Sequence, residues 1–302
     1  MFGIQLGKKW GDRIFAIGMV APAFILLIAL SVYPFLTAVQ SSFFTIHTIT
    51  RVESYVGVKN YIEALTTPLF WQSLWRSIVW TVGGVIPQLI LGIVCSLVLH
   101  AELKGRNLAR GIVLFPYLVP AIVASIVWRF MFNPLTGVVN YVLVEVLHLL
   151  KEPIAWLSDP KMAMPAVIIV GIWKFVPFMI ILFLARLQTT PLELYDAAKV
   201  DGANAWQEFW YITIPWLKPT IIVALLLRTI WLFNHFDMVY LMAFGGPMYA
   251  TTTLPVLIRN TAFAFMDMGK AASISMCMVV ILFSMTVFYT YFYGRAEEEL
   301  RY

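Results

Sequence analysis

Charge is scarce in this chain. Of its 302 residues, 12% are charged and 61% are hydrophobic, whereas soluble domains carry about 25% charged residues. A water-soluble globule is therefore excluded. Cysteine is rarer still, with two residues, Cys95 and Cys277. Both lie inside apolar runs and read as buried small residues, so neither a disulfide nor a metal site is expected. The sequence has no His-Glu-x-x-His, no Gly-x-Ser-x-Gly and no Gly-x-x-x-x-Gly-Lys-[Ser/Thr], and no nucleophile–base pair stands out. No catalytic residue is expected, and nucleotide hydrolysis would need another chain. No carboxylate sits at the centre of a long apolar run, and no internal repeat is apparent. Both absences argue against an ion-coupled secondary transporter.

What the chain does have is long apolar runs. A membrane-spanning helix needs roughly 20 apolar residues. Six stretches qualify, near Ile14–Val39, Leu74–Leu99, Leu108–Phe132, Met162–Leu187, Trp216–Met242 and Ala271–Tyr293. Little remains for a soluble domain, so residues 1–302 read as a single membrane domain. The first run follows Lys8, Lys9 and Arg13 but is too long for a signal peptide and reads as a retained helix. An even number of spans puts both termini on one side. Basic residues are denser in the segments that share a side with the termini, including Lys104, Arg106, Arg110, Arg186 and Lys199. That side is then cytoplasmic. The net charge of +5 follows from this topology and does not point to nucleic acid.

Between the fourth and fifth runs lies a polar stretch, Thr190-Pro191-Leu192-Glu193-Leu194-Tyr195-Asp196-Ala197-Ala198-Lys199-Val200-Asp201-Gly202. Thr190 and Glu193 have capping-box spacing, which predicts a helix starting at Pro191. Gly202 can end it in the left-handed conformation. A second short helix is expected from Ala203 to about Tyr211, before Pro215 restarts the chain into the fifth span. Ala197 and Ala198 leave room for a close-approaching surface.

This stretch, with Ile212-Thr213-Ile214-Pro215 after nine intervening residues beyond Gly202, resembles the Glu-Ala-Ala loop of ABC importer permeases. Asp196 stands for the Glu, and Ile214 for the usual Leu. The resemblance extends over about residues 14 to 293. Val56-Gly57-Val58-Lys59-Asn60-Tyr61, Phe115-Pro116-Tyr117-Leu118-Val119-Pro120, Ala155-Trp156-Leu157-Ser158-Asp159-Pro160, Trp173-Lys174-Phe175-Val176-Pro177-Phe178 and Gly245-Gly246-Pro247 are similar to segments of sugar permeases of the MalF-like half. The resemblance implies an all-α, six-helix type I importer permease with the MetI-like fold, in a bacterial inner membrane. It implies a second, MalG-like permease subunit and an extracytoplasmic solute-binding protein as partners. Two ATPase subunits would hold ATP and Mg, leaving this chain without a cofactor. In the loop at 190–215, Glu193, Tyr195, Asp196, Ala197, Ala198, Asp201 and Gly202 would couple the spans to the ATPase. Closure of the ATPase pair would then bias a two-state transport switch.

Two cations stand out inside the spans. Lys174 falls near the middle of the fourth run and Arg228 near the middle of the fifth. Such a residue costs about 2.5–3.5 kcal/mol at the bilayer centre and faces a bundle interior or a watery cavity. Arg228, Trp231, Leu232 and His235 recur at helical intervals and would share one face. Carried over from MalF residue by residue, the solute-contacting positions fall on Tyr117, Ala121, Gly171, Lys174, Phe175, Phe178, Arg228, Leu232 and His235. The alternative is that Lys174 and Arg228 hold spans together. The resemblance implies a sugar or sugar derivative, and both an anionic and a neutral solute remain open.

Overall fold

The computed structural model describes the backbone of residues 3–101 and 104–298, and the side chains of residues 10, 15–101 and 104–291. The described chain is mostly helical and divides into two compact units, one running to residue 66 with 260–277 and the other from residue 67 to 259 with the chain from 278 onward.

The first unit opens with α1 (Gly3–Leu27), a π-helical turn (Ile28–Val32) and α2 (Tyr33–Ser41). Together they give an apolar span from Phe15 to Ser41 with none of its most apolar stretch buried. A two-stranded antiparallel ribbon follows, β1 (Phe44–Ile46) with β2 (Glu53–Tyr55), and then α3 (Lys59–Thr66). Asn60 is buried and donates to the carbonyls of Ser42 and Phe44 at 3.1 and 2.8 Å. That ties α3 to the ribbon. His47 bridges to Asp267, so residues 260–277 close the unit.

The second unit is built around α4 (Pro68–His100). At 33 residues it is about 50 Å long, well beyond the roughly 30 Å of a hydrocarbon core. It is followed by α5 (Arg106–Leu118), α6 (Ala121–Met131), the short α7 (Val138–Tyr141) and α8 (Ala163–Leu187). The most extensive helix packing is α4 on α8. Close approach uses glycines, as expected where lipid offers no hydrophobic contrast. A Cβ on Gly171 of α8 would lie 2.5 Å from Trp80 Cη2. The cytoplasmic-type loop forms α9 (Leu192–Val200) and α10 (Ala205–Glu208), and then α11 (Ile214–Phe233), α12 (Asp237–Ala243) and α13 (Leu254–Arg259) complete the run. The last helix, α14 (Met268–Glu298), belongs to this unit from residue 278 onward. Trp80, Val167, Val170, Leu232, Met238 and Met242 form the centre of one core cluster. Met179, Phe183, Leu187 and Leu217 form a second.

Among the described residues five helices are long and apolar enough to span, and the count is six if the bent pair α5–α6 is one span. The third expected span is therefore not straight: α5 and α6 meet at 92°. Pro120 has no N–H to offer the Pro116 carbonyl, and it drives Val119 out of the helical region to φ −65°, ψ 129°. The fifth expected span also breaks. Its helix ends at Phe233, with Asn234 as C-cap, and the chain restarts at Asp237. Arg228 thus sits in the last turns of α11, and His235 lies outside the helix that carries Arg228, Trp231 and Leu232.

Candidate functional site

The bend between α5 and α6 leaves carbonyl groups without helical partners beside α8. The last turn of any helix has carbonyls without intrahelical partners, and here Pro120 removes one more donor. Lys174, midway along α8 and 4% exposed, supplies what is missing. Its Nζ donates to the carbonyls of Pro116 at 2.8 Å, Tyr117 at 2.9 Å and Val119 at 2.5 Å. All three ammonium donors are used, and the charge lies at the negative end of α5. The same contacts fix the Tyr117 backbone, and Ala121 opens α6 just beyond the bend.

Arg228 is 2% exposed. Its Nε donates to Gln88 Oε1 of α4 at 3.0 Å. Gln88 in turn donates to the Gly171 carbonyl at 3.4 Å. The guanidinium lies 4.7 Å from the centre of the Phe175 ring and 5.6 Å from that of Phe178. Lys174 Nζ lies 5.8 Å from the same Phe175 centre and 5.6 Å from that of Tyr117. Phe175 therefore stands against both cations, a contact worth about 0.5–2 kcal/mol per cation. Phe178 packs on Tyr117 at 6.5 Å and edge-on to Trp231 at 5.2 Å. His235 meets Phe175 edge-on at 5.1 Å and stacks near Trp80 at 6.4 Å.

The structure brings Tyr117, Lys174, Phe175, Phe178, Arg228 and His235 into one cluster. Gly171 and Leu232 act behind it. Gly171 makes room for Trp80, whose Nε1 donates to the Leu232 carbonyl at 2.8 Å. The expected common face of Arg228, Trp231, Leu232 and His235 is corrected in detail. Arg228 and Leu232 are buried and Trp231 is 46% exposed. His235 reaches the cluster from the linker after α11, with its backbone N–H on the Leu232 carbonyl at 2.9 Å. Sequence reasoning passed over Gln88 and Trp80. Both carry polar atoms inside a long apolar run, and that was the available signal.

The polar loop folds as a helical hairpin, with two corrections. The helix starts at Leu192, and Pro191 is its N-cap with no side-chain cap hydrogen bond. The Thr190/Glu193 capping box is therefore not formed. The capping box belongs to the second helix, where Asn204 accepts from the Gln207 N–H at 3.0 Å and Gln207 accepts from the Asn204 N–H at 2.8 Å. That helix does not stop before Pro215. It continues through a π-helical turn, Phe209–Thr213, into α11, and the wider turn accommodates the missing proline N–H.

Gly202 has φ +80°, as the sequence predicts. The Ala203 N–H reaches the Ala198 carbonyl at 2.9 Å and the Gly202 N–H reaches the Lys199 carbonyl at 3.1 Å, a Schellman closure. Tyr195 turns inward and its hydroxyl pairs with Thr213 Oγ1 at 3.0 Å. Asp196 and Lys199 pair loosely at 3.7 Å. Glu193, Ala197 and Asp201 are exposed and Ala198 half-buried. Leu192, Val200 and Trp206 project outward at 71%, 88% and 69% exposure.

A model of the family described as "Binding-protein-dependent transport system inner membrane component" matches residues 88–298. The inner membrane ABC transporter permease protein YcjO of Escherichia coli (strain K12) is 38% identical over 274 residues, covering 90% of this chain and 92% of its own. The trehalose/maltose transport system permease protein MalF of Thermococcus litoralis is 39% identical over 235 residues, 78% of each chain. Among solved structures, a bacterial ABC transporter involved in the import of the acidic polysaccharide alginate superposes with a TM-score of 0.82 at 21% identity, covering 96% of this chain and 99% of that one. That last likeness is one of fold.

Proposed function

Because this chain belongs to the family of binding-protein-dependent transport system inner membrane components, we propose that it is one of two different permease subunits of an ATP-driven importer for a sugar or sugar derivative. The trehalose/maltose permease among its relatives supports the sugar class. The family description supports an extracytoplasmic binding protein that delivers the solute. Two ATPase subunits sit on the cytoplasmic face with ATP and Mg, and both termini lie on that same side of the bacterial inner membrane. The cluster around Phe175 is where the solute passes.

The observation that carries this reading is the hairpin α9–α10. It is a short, sharply capped helix pair between two spans, and its outer surface carries bare Leu192, Val200 and Trp206. An apolar patch ringed by charges suits a groove on another protein. The ATPase dimer supplies that groove, and its closure pulls α9 and, through the continuous helix after Asn204, α11.

Gly202→Val forces a β-branched residue to φ +80°, a conformation such residues rarely adopt. Asp196→Lys reverses charge on the hairpin. Both variants should insert and assemble with the second permease yet show weakened ATPase attachment and weakened solute-stimulated ATP hydrolysis. Normal uptake by both variants would sink the coupling assignment.

A further inference from the structure

Arg228 Nη2 is buried and has no hydrogen-bond partner among the described residues. The guanidinium's polar side-chain partner, Gln88, is a neutral amide that takes Nε. A guanidinium carries five N–H donors and keeps its charge at any physiological pH. His235 Nε2 is buried and unpartnered as well. Lys174 shares the Phe175 ring with Arg228, and its three bonds go to neutral carbonyls. No carboxylate among the described residues bonds to either cation. The ion pairs seen lie elsewhere, at Lys59–Glu63, Lys270–Glu63 and Lys199–Asp196. The cluster thus holds two positive charges, a set of aromatic rings and two orphaned nitrogens.

A hydroxyl group could satisfy an orphaned N–H but would leave the charge uncompensated. A carboxylate, sulfonate or phosphate does both, because it accepts a forked pair of short hydrogen bonds and offsets a buried charge. Resting on the importer reading above, we propose that Arg228 Nη2 and His235 Nε2 recognise an anionic group on the transported sugar. Phe178 is the cover. Its half-buried ring contacts Arg228 and the partly exposed Tyr117 and Trp231. Swinging that ring aside exchanges a cation–π contact for charge-assisted hydrogen bonds. The sugar ring then has Tyr117 and Trp231 to stack on, and Lys174, through the Tyr117 carbonyl, is a positioning residue.

The test uses the assembled permease–ATPase complex in nanodiscs without the binding protein, so that the transmembrane site alone selects. Thermal stabilisation is titrated with methyl glucoside and maltose as neutral probes. Methyl glucuronide, methyl 6-deoxy-6-sulfoglucoside and glucose 6-phosphate serve as anionic ones. At least one anionic probe should bind about 10- to 100-fold more tightly than its neutral counterpart. Arg228→Met should erase that margin, and Arg228→Lys should restore part of it. Should Arg228→Met fail to assemble, Arg228→Lys and His235→Asn carry the comparison, each with a reduced margin. Equal affinity for neutral and anionic probes, or a margin unchanged in the variants, overturns the anion assignment and leaves the sugar importer standing. Binding of none of the probes, neutral or anionic, overturns both.

Discussion

Lys174 shows how an intramembrane charge can be satisfied without a counter-ion. Three backbone carbonyls of one broken helix end receive its three donors. Lys174→Met keeps most of the side-chain length and removes every donor. Each stranded carbonyl then costs about 1–3 kcal/mol, so the purified complex should melt several degrees lower. An unchanged melting temperature would mean that water replaces the ammonium. Arg228 is the contrasting case. It has one polar side-chain partner, Gln88, and two rings, so its truncation should act on solute selection more than on the fold. Gly171→Ala separates packing from charge. Its Cβ would meet the Trp80 indole at 2.5 Å, and overpacking of this kind costs about 1–3 kcal/mol. Lowered thermal stability with solute preference intact is the expected outcome, and altered preference at unchanged stability would place Gly171 in the solute path itself.

At the scale of elements, breaks matter more than spans. Proline decides the bend between α5 and α6, and Asn234 ends α11 short of its expected length. The hairpin depends on two caps, the Schellman turn at Gly202 and the capping box at Asn204. Asn204→Ala removes an acceptor at the N-terminus of the helix that leads into α11, at a cost of about 0.5–2 kcal/mol. Local fraying there should appear as faster amide exchange over residues 205–208 and as weaker ATPase coupling. Protection equal to wild type would show that the continuous helix holds without its cap. The hairpin was legible because its signals are local: an αL glycine and a short polar stretch between two apolar runs. Its start was misread because Thr190-x-x-Glu193 is a valid capping pattern, and only the structure shows that the helix begins after Pro191 with no side-chain cap.

For the whole molecule, the described chain presents long apolar surfaces with nothing from its own fold against them. The span Phe15–Ser41 is bare along its most apolar stretch. Lipid covers part of such surfaces, and a second permease covers the rest in the proposed assembly. Co-expression with candidate operon partners and purification through this chain should recover a second, different permease together with an ATPase pair. ATP-driven uptake should require both permeases. A functional complex containing only copies of this chain would refute the heterodimer.

The sequence by itself determined the class of this protein. Scarce charge, apolar runs of bilayer length and the spacing around Gly202 are local or compositional properties, and a membrane forces helices on such a chain because every backbone group must be satisfied internally. It also placed Lys174 and Arg228 as costly residues in need of partners. What the partners are, only the tertiary structure decided. The Lys174 carbonyls come from residues 55–58 positions earlier in the chain, and the Gln88 amide lies 140 positions from Arg228. No pattern within a single helix encodes such distances. They follow from how α4, α5, α8 and α11 pack, and from a proline break that frees carbonyls where one lysine can reach them.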